Sequence, residues 1–185
     1  MEDEHLLYIN KPGIGLNRAF IFWDHANVFH NLQLHKVRID YELVKKKLVQ
    51  DYYLVAAIMY LGKPRIVFQK KQNFFNALEK TGWILNERPL KVSASGEMSQ
   101  NGVDQVMFLD LFVLAEAEAF EKAIIVSGDK IFVEAIKVLK KLNKQVEVWS
   151  FRNSLSRALI WEVGRERVHY LDDVLDEIVL KDEKS

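Results

Sequence analysis

Cysteine is absent from the chain, which excludes a disulfide framework, a thiolate zinc site and a cysteine nucleophile, and leaves oxygen ligands for any metal. An excess of one charge is absent too. Lys plus Arg and Asp plus Glu stand at 26 each, so no overall positive field holds nucleic acid, and any such contact has to be local. No apolar run approaches the ~20 residues that span a bilayer, and the start, Met1-Glu2-Asp3-Glu4-His5, is acidic where an export signal is basic. The expectation is a cytoplasmic protein with no membrane segment, compatible with a reducing compartment. A glycine-rich phosphate loop is also missing: Gly13-Ile14-Gly15 comes before the first strand, not between a strand and a helix, which argues against a dinucleotide cofactor. Internal repeats, low-complexity tracts and linkers are not found.

What is present is apolar material, 49% of 185 residues, enough for one continuous core. Ala19-Phe20-Ile21-Phe22-Trp23 is an aromatic-rich run that stops at Asp24, as a buried parallel strand does at a sheet edge. Asp40 reads as the N-cap of a first helix in which Tyr41, Leu43, Val44, Leu48 and Val49 recur with helical spacing and Lys45, Lys46 and Lys47 face out. Residues 53–60 form a second apolar strand, closed by Leu61-Gly62-Lys63-Pro64. Phe74, Phe75 and Leu78 mark a helix ended by Gly82, and a weaker strand covers 83–90. The small polar stretch 93–102 reads as a mobile surface loop. A long helix is expected over 103–120, a strand over 123–126, an amphipathic helix over 131–142 and a strand over 146–149.

Such alternation predicts an α/β fold with a central, mostly parallel sheet and helices on both faces, in which ligands bind beyond the carboxyl ends of the strands. Asp24 and Asp129 each follow a buried strand, in Phe22-Trp23-Asp24-His25-Ala26-Asn27 and Val126-Ser127-Gly128-Asp129, and Asp104 opens a helix after a glycine-containing loop. Aspartates so placed also serve as helix N-caps or turn residues, and spacing does not separate the two roles. Converged carboxylates raise one another's pKa unless a cation intervenes, and clustered oxygens suit Mg²⁺ or Mn²⁺. Such an ion lowers the pKa of a bound water and neutralises charge on a phosphate, which fits phosphodiester hydrolysis.

Asp24-x-x-Asn27, Asn101-Gly102-Val103-Asp104 with Asp110 six residues on, and Val126-Ser127-Gly128-Asp129 resemble, in order and spacing, the successive motifs of NYN domains in the PIN-like nuclease superfamily, most of all the LabA-like subgroup. The resemblance implies a three-layer PIN-like Rossmannoid domain over 18–178, with 1–17 an N-terminal extension and 179–185 a charged tail. It implies a metal-dependent ribonuclease using Mg²⁺ or Mn²⁺, with Asp24, Asp104 and Asp129 as catalytic metal ligands and RNA as partner; a homodimer is a further family analogy. Asn27 and Ser127 would orient a carboxylate, water or phosphate. Asp110 matches the pattern, yet six residues on a helix turn roughly 240°, so it cannot point with Asp104 at one ion and a salt bridge is its expected use.

Three positions depart from that pattern. Ile131 stands where the family usually has an acid, Asn101 where it has Lys, and Glu162 where it often has Asp. One carboxylate fewer weakens a second cation site, so a catalytically weakened module that binds RNA or a protein partner is the alternative, and a phosphatase-like hydrolase of small phosphoesters a third reading.

Two basic groups stand out, Lys63, Arg65, Lys70 and Lys71, and Arg152, Arg157, Arg165 and Arg167; of these Arg152 and Arg157 follow a strand's carboxyl end and are the candidate RNA contacts. Trp83, Trp161 and the phenylalanines offer stacking surfaces or core packing. His25, His30 and His35, five apart, do not form a metal pair and read as surface or local hydrogen-bonding residues.

Overall fold

Strand β1 (Arg18–Asp24) is buried along nearly its whole length, and the reason is its position: β2 (Tyr53–Lys63) pairs with it on one side and β6 (Lys122–Val126) on the other, both parallel. The computed structural model describes residues 17–63, 69–89, 91–92, 98–99 and 102–180. Beyond β2 lies β3 (Trp83–Pro89); beyond β6 lie β7 (Gln145–Ser150) and the short β8 (Val168–Tyr170). The order β3-β2-β1-β6-β7-β8 is all parallel, so the chain builds outward in one direction from β1 and then returns to start again at β6. The gap between β1 and β6 at their carboxyl ends is therefore the topological switch point, where such sheets hold ligands.

Side chains alternate along each strand and divide the core in two. Phe20, Phe22, Ala56, Ile58, Ala123 and Ile125 point to one face, covered by α4 (Val103–Glu116), α5 (Val133–Lys141) and α6 (Arg157–Val163). Ala19, Ile21, Trp23, Ala57, Met59, Ile124 and Val126 point to the other, covered by α1 (His25–His35), α2 (Tyr41–Val49), α3 (Gln69–Lys80) and α7 (Leu175–Ile178). This is the three-layer α/β arrangement expected from the sequence. No helix among the described residues is long and apolar enough to cross a membrane.

Several elements differ from expectation for identifiable reasons. A helix, α1, begins directly after β1; only Val28, Asn31 and Leu32 of it are buried, too few for an apolar stripe, and the Asp24 cap starts it instead. Strand β2 continues to Lys63 because Leu61, Gly62 and Lys63 still pair with β3. The long helix stops at Glu116, where Glu118 adopts φ +53° and the N–H groups of Glu118 and Ala119 turn back to Ala115 and Leu114. Within the expected loop, β5 (Met98–Ser99) pairs antiparallel with β4 (Lys91–Val92); residues 93–97, 100 and 101 lie outside the described residues, as do Gly13, Gly15 and Arg65.

Candidate active site

At the carboxyl ends of the strands the register lines up a polar row. Asn86 of β3 pairs with Tyr60 of β2, Tyr60 with Asp24 of β1, and Ser127 directly follows β6 on Asp24's other side. None of this is visible from spacing in the chain, since the four residues come from four separate segments.

Asp24 is the hub. It is 6% exposed and caps α1, one carboxylate oxygen accepting the Asn27 N–H at 3.1 Å and the other the Ser127 hydroxyl at 2.8 Å. Asn27 reaches back across the switch point, its Oδ1 accepting the Gly128 N–H at 3.1 Å. The Ser127 oxygen in turn accepts the Asp129 N–H at 3.2 Å, and Asp129 caps the 3₁₀ turn Lys130–Phe132 by accepting the Ile131 N–H at 3.0 Å. Both aspartates are thus caps at the carboxyl edge of the sheet.

Glycine at 128 has a steric cause. A Cβ there would fall on the Ser154 carbonyl and the Ser150 hydroxyl, while the Gly128 carbonyl accepts the Ser156 N–H at 2.9 Å. The Ser-Gly-Asp turn is clamped between α1 and the loop that leads to α6.

Burial pushes the Asp24 carboxyl up to about 6; the Asn27 and Ser127 hydrogen bonds oppose that, and the charges of Asp104 and Asp129 add to it. Asp104, in the first turn of α4, is also raised, first by burial and then by Asp129. The three acids picked out by sequence are therefore brought within electrostatic reach of one another. Among the described residues no three His, Asp or Glu side chains stand close enough to hold one ion between them directly. Buried carboxylates that repel one another nevertheless fit a hard divalent cation, which would relieve both the desolvation and the repulsion.

Asp110 lies on the buried side of α4. Its carboxylate accepts the Tyr60 hydroxyl at 2.8 Å and the Asn86 amide at 3.1 Å. Tyr60 and Asn86 were missed from sequence; Tyr60 was legible only as the polar end of an apolar run. Glu162 is drawn to Lys140 of α5 at 2.9 Å. Ile131 is 47% exposed.

Of the basic residues, Arg152 bonds Asp173 at 2.6 Å and lies 4.3 Å over the Tyr170 ring, whereas Arg157 is exposed with no ion pair among the described residues. Lys63 pairs with Glu87. His25 corrects the surface reading: its ring packs on Phe29 and Phe74, and burial, with Lys71 nearby, lowers its pKa to about 4.

A parallel sheet in this order with acids gathered at its switch point defines a PIN-like α/β domain. The NYN domain family model matches residues 18–166, and the chain belongs to that family, whose members are generally nucleases acting on RNA and typically dependent on a divalent metal. A crystal structure of a protein of unknown function from Vibrio parahaemolyticus shares the fold, with a TM-score of 0.75 at 20% identity over 92% of this chain and 100% of that one. Comparison with curated proteins gave no match.

Proposed function

We propose that the chain is a ribonuclease of the LabA-like branch, dependent on Mg²⁺ or Mn²⁺, hydrolysing RNA phosphodiester bonds at the switch point. The observation that carries this reading is the buried Asp24 carboxylate, raised to about 6 and facing Asp104 and Asp129.

Asp24, Asp104 and Asp129 are the residues that would hold the cation, not all of them directly, since Mg²⁺ keeps several waters in its shell. Bound there, it supplies Lewis acidity toward a phosphate oxygen and neutralises charge developing in the transition state. The chain's own part is positional. Ser127 donates to Asp24 and accepts from Asp129, which fixes the two acids relative to each other. Asn27 fastens α1 to the Ser-Gly-Asp turn, so the edge on which Asp24 sits does not spread. Arg157, exposed at the start of α6, would contact the RNA backbone.

The test is cleavage of labelled RNA and DNA strands with Mn²⁺, Mg²⁺ or EDTA, comparing the protein with Asp24→Asn and Asp129→Asn. Metal-dependent RNA cutting lost in both variants supports the nuclease. RNA retention without cutting supports the second reading, a binding module, which the exposed Ile131 at a usual acidic position favours. Neither activity sinks both.

A further inference from the structure

The chain has four tryptophans. Trp23, Trp83 and Trp149 are buried, while Trp161 is 87% exposed, the most exposed large apolar side chain among the described residues. A singly exposed apolar side chain is ordinary, so what gives this indole meaning is the charge near it in the chain.

Trp161 lies four residues after Arg157 on α6, so the two share one face of that helix. Arg165 follows at the same interval in the chain, within the 3₁₀ turn Arg165–Arg167. Both arginines are exposed, and neither has an ion pair among the described residues. Trp161 is the one exposed large apolar side chain on α6 among the described residues, so it does not centre an apolar patch of the kind a protein partner covers. In the chain the indole instead lies between two exposed arginines that have no ion pair among the described residues, one of them on its own helix face. A flat π surface between cations matches a nucleobase between two phosphates.

Helix α6 is also tied to the carboxylates. The Ser156 N–H that starts it bonds the Gly128 carbonyl at 2.9 Å, and Gly128 lies between Ser127 and Asp129. Ser127 Oγ holds Asp24 at 2.8 Å. The face carrying Arg157 and Trp161 thus leads away from the switch point along one continuous, hydrogen-bonded segment.

We infer that Arg157 and Trp161 form a platform for single-stranded nucleic acid leaving the carboxylate site, with a phosphate at Arg157 and an unpaired base stacked on Trp161. The inference rests on the ribonuclease reading and names its substrate class: an unpaired strand, because a base held in a duplex has no free face to stack.

Since Trp161 is the solvent-exposed tryptophan, fluorescence reads the platform directly. A short single-stranded oligoadenylate, titrated in EDTA so that no cutting intervenes, should quench the exposed component of the emission, and Trp161→Phe should abolish that quenching while keeping most of the affinity. Trp161→Ala should weaken binding roughly tenfold to a hundredfold, in line with one lost base stack. A double-stranded RNA of the same length should bind Trp161→Ala and the parent protein alike. Oligoadenylate binding with unquenched Trp161 and undiminished affinity in Trp161→Ala overturns the platform and leaves the ribonuclease reading standing. If the parent protein cuts RNA with Mn²⁺ yet holds no single strand in EDTA, the platform falls alone; if it neither binds nor cuts, both readings fall.

Discussion

The Ser127 hydroxyl donates to Asp24 Oδ2 at 2.8 Å while its oxygen accepts the Asp129 N–H at 3.2 Å, so one fully buried serine joins the acid that ends β1 to the acid that caps the turn after β6. The strained member of this set is Asp24, which pays in desolvation for a position facing two other carboxylates.

That strain sets a pH dependence. The fold prefers protonated Asp24, whose pKa rises from 3.8 to about 6, so the stability it contributes is complete below about 3.8 and lost as pH climbs through about 6. His25 has the opposite sign. Its pKa falls from 6.5 to about 4, so its contribution is complete above about 6.5 and lost as pH falls toward 4. Each contribution is at most about 3 kcal/mol. The two slopes oppose each other between about 4 and 6. Asp24→Asn should therefore raise Tm at neutral pH and make the protein more sensitive to acid, while His25→Phe should make stability rise on acidification relative to the parent. Thermal unfolding of the three proteins across this range checks it; parallel curves would refute both assignments.

A divalent cation should act on the same carboxylates. Mn²⁺ should raise the Tm of the parent protein and shift its pH dependence toward a lower Asp24 pKa, with a much smaller effect on Asp24→Asn. Equal shifts in the two proteins would place the binding elsewhere.

Gly128→Ala should cost about 1–3 kcal/mol, because the new methyl group meets the Ser154 main chain, which cannot swing aside as a flexible side chain would. Urea unfolding measures the loss. An unchanged midpoint would mean that the 150–156 loop yields freely.

Tyr60→Phe should cost about 1–2 kcal/mol by removing a hydroxyl donor from the buried Asp110 carboxylate. Urea unfolding again reads it, and Asn86→Leu in the same background should cost more than the sum of the two single changes if both donors serve one acceptor.

The layers of this fold were legible because apolar runs such as 19–23 and 123–126 are short, continuous and closed by turn residues. Helix α1 was not, since its start depends on one side-chain cap and its buried face is only three residues. The three acids were legible as residues that follow strands or open a helix; that they also cap was one of two readings, and geometry gives both. Tyr60 and Asn86, two of the donors to Asp110, were hidden because they meet only through strand register, which follows from tertiary pairing and leaves no mark on the linear order. The cover over the His25 ring was equally hidden, since it comes from Phe74, a residue about fifty positions away.

The division of the core into two helix layers has a mechanical consequence. Asp24 starts a helix of one layer yet faces Asp104 in a helix of the other, and Asn27 and Ser127 cross between the halves of the sheet. Anything seated among these groups works as a rivet through all three layers of the sandwich of helix, strand and helix: neither helix layer can breathe open without first releasing it, so occupancy should slow hydrogen exchange in α1 and α4 together, although the two helices share no layer.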